Sequence, residues 1–177
     1  MSIKNIAKKN GFLVRNLRNF FEHRALWLYF LYDEARKKGA KPDTFARAAI
    51  RRCGLYHGMR ALTGKDTAVE RPGAEGGSCR LLQKKLFPPP GKAIFEMKFG
   101  ALDDDTFEVD FHYCPLVNAW QKQGCSEEDM EKLCDWAMEG DRGIAEAFGC
   151  DLELKTTIAR GDEFCQIRIK RKQKNSN

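Results

Sequence analysis

The chain has no Cys-x-x-Cys pair, no Walker loop or Gly-x-Gly-x-x-Gly, no His-Glu-x-x-His and no Gly-x-Ser-x-Gly. The first absence argues against a zinc ribbon or finger. The others leave phosphate-cradling nucleotide sites, zincin proteases and serine hydrolases without positive support. Long apolar runs are missing too: the strongest, Ala25-Leu-Trp-Leu-Tyr-Phe-Leu-Tyr32, is bounded by Glu22-His-Arg24 and Asp33-Glu34. It falls far short of the roughly 20 residues that a bilayer requires. Met1-Ser-Ile-Lys-Asn-Ile-Ala-Lys-Lys9 is charged like a signal peptide but carries neither an apolar stretch nor a small-residue cleavage site, so a cytoplasmic protein is expected.

Cysteine is present without the density of a secreted scaffold. The seven residues, at 53, 79, 114, 125, 134, 150 and 165, are odd in number and widely spaced, so thiols, metal ligands or core positions are expected. The net charge of +6 is concentrated at one end. Arg168, Lys170, Arg171, Lys172 and Lys174 account for five of those charges, leaving 6 − 5 = +1 for the rest. A solvated tail explains this better than a nucleic-acid surface.

With 42% apolar and 32% charged residues in 177, one buried core is expected, hence a single domain over 1–177. It divides into a helical part (1–62), a loop and short helix (63–92), a sheet with helices (93–170) and a basic tail (171–177). Leu13, Leu17, Phe20, Phe21, Leu28, Leu31 and Ala35 predict a helix over 12–38, apolar nearly all round in its middle and therefore packed on more than one side. Asp43 reads as the cap of a second helix reaching Leu62. Gly54 and Gly58 share a face of that helix where another backbone could approach closely. Residues 63–77, glycine-rich and poor in apolar side chains, read as a mobile loop, and 78–87 as a short helix.

The apolar period then changes from 3.6 to 2. Strands at 93–100 and 106–113 form one expected hairpin, and 151–158 with 163–170 a second, giving four antiparallel strands. Between the hairpins lie a helix after Cys114, another opening at the capping box Ser126-Glu-Glu-Asp129, and a short third from Asp141 to Phe148. The fold class is α+β.

The strand-to-helix junction at Cys114-Pro115 carries the strongest chemical signal. Proline suits the first helical position, which makes Cys114 the N-cap, where free amides and the positive helix end favour thiolate. A space-filling cysteine is the plain alternative. His112, two residues earlier and on the same face of the strand, is the candidate base. Phe107, Val109, Phe111 and Tyr113 are assigned inward, Glu108, Asp110 and His112 outward. Cys134 and Cys165 lie on apolar stripes and read first as core residues. Asp135 and Asp162 beside them could orient a base, though caps and turns use such residues as well. Arg168 could hold a carboxylate. Cys53 with His57, and His23, are the remaining candidates.

The ordered motifs Phe-His-Tyr-Cys-Pro-Leu-Val-Asn-Ala-Trp, Leu-Cys-Asp-Trp-Ala-Met-Glu-Gly-Asp and Ala-Arg-Gly-Asp-Glu-Phe-Cys-Gln-Ile-Arg resemble the L-2-amino-thiazoline-4-carboxylic acid hydrolase family. Glu22-His-Arg-Ala-Leu-Trp27 and Cys53-Gly-Leu-Tyr-His-Gly58 resemble it more loosely. The resemblance implies helices on an antiparallel sheet, like the vinyl-reductase-type ligand-binding domains. It also implies ring-opening hydrolysis of a cyclic amidine that bears a carboxylate. Cys114 would attack carbon, His112 or His57 relay protons, Asp135 or Asp162 orient the base, and Arg168 or Arg60 hold the carboxylate. No cofactor is required. A divalent metal on Cys114, Cys134, Cys165 and His112 is the competing mechanism, and a non-catalytic small-ligand or metal sensor the competing function.

Overall fold

A computed structural model describes residues 3–9, 11–65, 76–87 and 89–173. The mobile loop expected at 63–77 lies mostly outside these residues, as does the end of the basic tail. Six α-helices and four strands occur among the described residues, in the order α1 (Phe12–Lys37), α2 (Asp43–Thr63), α3 (Cys79–Leu86), α4 (Pro89–Ile94), β1 (Met97–Leu102), β2 (Thr106–Phe111), α5 (Pro115–Lys122), α6 (Glu127–Ala147), β3 (Cys150–Leu154) and β4 (Cys165–Arg171). A 3₁₀ turn, Ile158–Arg160, joins the last two strands.

All four strands form one antiparallel sheet in the order β1-β2-β4-β3. The two expected hairpins meet along β2 and β4, where Phe107 faces Ile169, Val109 faces Ile167 and Phe111 faces Cys165. Those six side chains are buried. Intervening residues of the same strands are more exposed, as alternation requires. One sheet face thereby becomes the floor of the core. α3 and α6 reach the strands, α1 lies on α5, and α2 lies on α6.

Three local readings need correction. Asp43 is the first residue of α2 rather than its cap; its carboxylate instead accepts from Trp136 Nε1 at 2.6 Å and from Arg47. Residues 89–94 are helical, so β1 begins only at Met97, after Glu96 turns the chain with a φ of 50°. The short helix expected to start at Asp141 does not exist separately, because α6 runs through Gly140 without interruption. That glycine lies in the crossing of α2 and α6. A Cβ at Gly54 would collide with the Gly140 carbonyl, and one at Gly143 with the Arg51 carbonyl. Close packing of two backbones therefore outweighs the helix propensity lost at glycine.

Ser126 caps α6 as the sequence indicates, accepting from the Asp129 amide at 3.1 Å. α1, by contrast, is packed on one side only. Arg18, Ala25 and Tyr32 are its buried residues, and Trp120 Nε1 donates to the Ala25 carbonyl at 2.9 Å. Among the described residues no helix is long and apolar enough to cross a membrane.

Candidate active site

The inner face of the sheet and the helices above it enclose a cavity of about 220 Å³. β4 supplies Cys165, Ile167 and Ile169, β3 supplies Leu152 and Leu154, and α3 closes one side with Leu82 and Leu86. α5 contributes Cys114, Leu116 and Trp120; α6 contributes Cys134, Ala137, Met138, Asp141 and Ile144. Arg24 of α1 and Asp141 of α6 are the charged residues in a lining that is otherwise apolar or sulfur-bearing.

Cys114 occupies the N-cap position of α5, with Pro115 beginning the helix. Its backbone is clamped by Asn5, whose side chain accepts from the Cys114 amide at 2.9 Å and donates to its carbonyl at 2.7 Å. Asn5 belongs to an N-terminal strap that is itself anchored elsewhere. Glu96 accepts from the amides of Lys8 and Lys9 and pairs with Arg18 at 3.1 Å, both side chains being buried.

The expected fall in the Cys114 pKa is overturned. Burial raises it to about 11, outweighing the amides of Val117 and Leu116 and the Arg24 charge, which pull it down. Loss of water stabilises the neutral thiol more than a single helix end stabilises its anion. Cys165 is raised to about 12, by burial and then by Cys114, although the Ile158 amide donates to its sulfur at 3.3 Å. Cys134 is raised well above the usual thiol range by burial and by Cys114 and Cys165. These are three protonated thiols that influence one another. Burial also raises the Asp141 carboxyl, against the opposing charges of Arg24 and Arg142.

The other expected site residues stand elsewhere. β2 ends at Phe111, and the bend before α5 returns Cys114 to the cavity side, so the same-face pairing with His112 fails. His112 is stacked on Phe164 with ring centroids 5.0 Å apart, and its Nε2 is buried without a partner. Burial, then Lys98, lowers its pKa. Arg168 is on the outer sheet face, paired with Asp110 at 2.8 Å and Glu108 at 3.6 Å, and cannot hold a ligand in the cavity. His57 is exposed on α2 with its ring 5.2 Å from Tyr56, and Arg60, farther along the same helix, is also exposed. Asp162 accepts from the Thr157 amide at 2.7 Å and closes the loop between β3 and β4, as its turn reading had it.

Asp135 faces an open polar cleft outside the cavity. Burial pushes its pKa up, but the hydrogen bonds and charges of Arg47 and Arg142, at 2.6 and 3.0 Å, hold it below the ordinary carboxylate range. Cys134 and Leu154 line both this cleft and the cavity, and so form the partition between them. Among the described residues no group of three or more His, Cys, Asp or Glu side chains is arranged to hold a metal ion. His112, on the opposite face from the three thiols, cannot complete the set proposed for one.

Arg24 and Asp141 are the site residues that sequence reasoning missed. Asp141 interrupts the apolar stripe of α6 at the position after Ala137 and Met138, a signal hidden when a separate helix is taken to start at Asp141. Arg24 follows Phe21 by three residues on α1, and both line the cavity.

A family model described as L-2-amino-thiazoline-4-carboxylic acid hydrolase matches residues 18–169. No curated protein matches the chain. Among solved structures, the chain is similar to a trafficking protein particle complex subunit 3 from Naegleria fowleri covalently bound to palmitic acid. That match has 16% identity, covers 86% of this chain and 95% of the other, and has a TM-score of 0.49.

Proposed function

The chain belongs to the L-2-amino-thiazoline-4-carboxylic acid hydrolase family, and from that membership we propose that it opens a small cyclic amidine carrying a carboxylate, with Cys114 as nucleophile. The observation that carries this reading is that one cation, Arg24, and one acid, Asp141, line the same otherwise apolar cavity as the Cys114 thiol. An aminothiazoline carboxylate has the complementary charges, an amidinium and a carboxylate. Arg24, exposed at the rim of the cavity, would bind the carboxylate, and Asp141 the amidinium, the second interaction strengthened by exclusion of water.

Arrival of the amidinium supplies a positive charge at the protonated thiol. A positive charge beside the sulfur favours loss of the thiol proton, and the site's neutral thiol becomes a nucleophile only with substrate present. The Cys114 sulfur then bonds to the amidine carbon while the ring carbon–sulfur bond breaks, the departing sulfur taking up the proton that Cys114 gave up. Water adds to the same carbon; as the bond to Cys114 breaks, one water proton passes to its sulfur and the other leaves to solvent, matching the proton the amidinium brought in. The net change is ring plus water to an N-carbamoyl amino acid thiol. In this scheme the roles expected of His112 or His57 as base and of Arg168 or Arg60 as anchor pass to Asp141 and Arg24.

A second reading, ligand binding without turnover, is favoured by burial of Cys114, which raises its pKa to about 11. One experiment separates them. Purified protein is assayed for ring opening of 2-amino-thiazoline-4-carboxylate and, in parallel, for thermal stabilisation by it. Turnover that disappears in Cys114→Ser supports the hydrolase. Stabilisation without turnover supports the binding protein. Full activity in Cys114→Ser with metal found by elemental analysis would transfer the chemistry to a bound hydroxide.

A further inference from the structure

α1 is amphipathic twice over. Arg18, Ala25 and Tyr32, seven apart, face the protein, while Leu13, Phe20 and Trp27, also seven apart, lie on the opposite side, with Leu31 four residues on. These last four are 64%, 73%, 61% and 64% exposed, and Phe12 and Phe30 flank them at 75% and 48%. A strict seven-residue apolar repeat on a helix surface is the pattern of a helix–helix seam. The seam from Leu13 to Leu31 is about 27 Å long at 1.5 Å per residue.

We propose that this face of α1 pairs with the same face of a second copy of the chain, about a two-fold axis near His23 and Arg24, with the two helices antiparallel. Area is the first argument. Side chains of this size present about 150–250 Å² each when aromatic, so the six expose roughly 700 Å² in total. That exceeds the patch of about 300–600 Å² usual on a monomer and approaches the roughly 800 Å² per partner of a standard interface. Self-complementarity is the second. An antiparallel two-fold sets Phe20 against the partner's Trp27 and opposes the helix dipoles. The narrow seam, interrupted by His23 and Arg24 and ended by Glu34, suits a matching helix better than a lipid surface.

Sedimentation equilibrium of the full chain tests the pairing. The wild type should weigh twice the chain mass, and Phe20→Glu/Trp27→Glu should raise the dimer dissociation constant on the order of a hundredfold or more, since both anchors are lost. Near-ultraviolet circular dichroism from the buried Trp120 and Trp136 checks that the variant folds. Should it not fold, His23→Cys in a Cys53→Ser background gives an independent readout, because mild oxidation should cross-link it as a dimer. A wild type that stays monomeric at the highest soluble concentration overturns the proposal, and so does a folded double variant that remains dimeric. Failure of Cys114→Ser to lose activity would affect neither result.

Discussion

Burial and the α5 N-terminus act on Cys114 in opposite directions, and burial wins, leaving a thiol with a pKa of about 11. Because the thiol ionises only with the amidinium bound and its proton stays within the site, kcat/KM should be nearly flat through the neutral range, where the free-enzyme thiol is protonated. A rise of about tenfold per pH unit would show instead that the free-enzyme thiolate is the reacting form. Cys114→Ser should lower kcat on the order of a thousandfold or more. Arg24→Gln belongs to the same site but should register differently. Loss of a charge-assisted carboxylate contact raises KM roughly ten- to a hundredfold with a smaller effect on kcat, and steady-state kinetics distinguishes the two patterns. Cys134 and Cys165 were legible in the sequence because each sits on an apolar stripe of known period, and Cys114 because Pro115 marks a helix start. Arg24 and Asp141 were not, because a charged residue next to an apolar stripe reads as its edge. Only the closure of α1 and α6 over the sheet makes them face one cavity.

At the scale of elements, the α2–α6 crossing depends on the absence of side chains at Gly54 and Gly143. Ion pairs flank it, Arg51 reaching Glu139 at 2.9 Å and Glu146 at 2.7 Å. Gly54→Ala should therefore destabilise the fold by about 2 kcal/mol or more through overpacking, even though alanine is the better helix former. Chemical denaturation measures this, and a stabilised variant would show that the helices can separate without loss. The four-residue spacing of Gly54 and Gly58 revealed this approach from sequence alone, since spacing defines a helix face. Gly140 is uninformative alone for a related reason: its low propensity is the same whether it ends a helix or lets a neighbour approach, and only the second helix decides. Strand parity was similarly legible through Phe111, but the bend that brings Cys114 back inward is a tertiary feature with no period to reveal it.

Across the whole molecule the sheet sorts the chemistry. Thiols lie on the inner face, while Arg168, Asp110, Glu108 and His112 stay on the outer one. This arrangement gives His112 a part in acid stability. Its imidazolium is disfavoured in the folded protein by burial and then by Lys98, and Nε2 has no hydrogen-bond partner to receive its proton. The folded pKa therefore lies below the unfolded value near 6.5, and between the two the unfolded chain binds more protons. Stability is then fully present above the unfolded pKa and is lost as pH falls through the folded one. His112→Phe keeps a ring against Phe164 and removes the titrating group, so its melting temperature should decline less than that of the wild type between about pH 7.5 and about pH 5. Thermal melts at both pH values check this. Because carboxylates such as Asp135, lowered by Arg47 and Arg142, lose their contribution only at still lower pH, the difference between the two proteins should open first in the window just below 6.5. Parallel acid decline in both would move the sensitivity to another group.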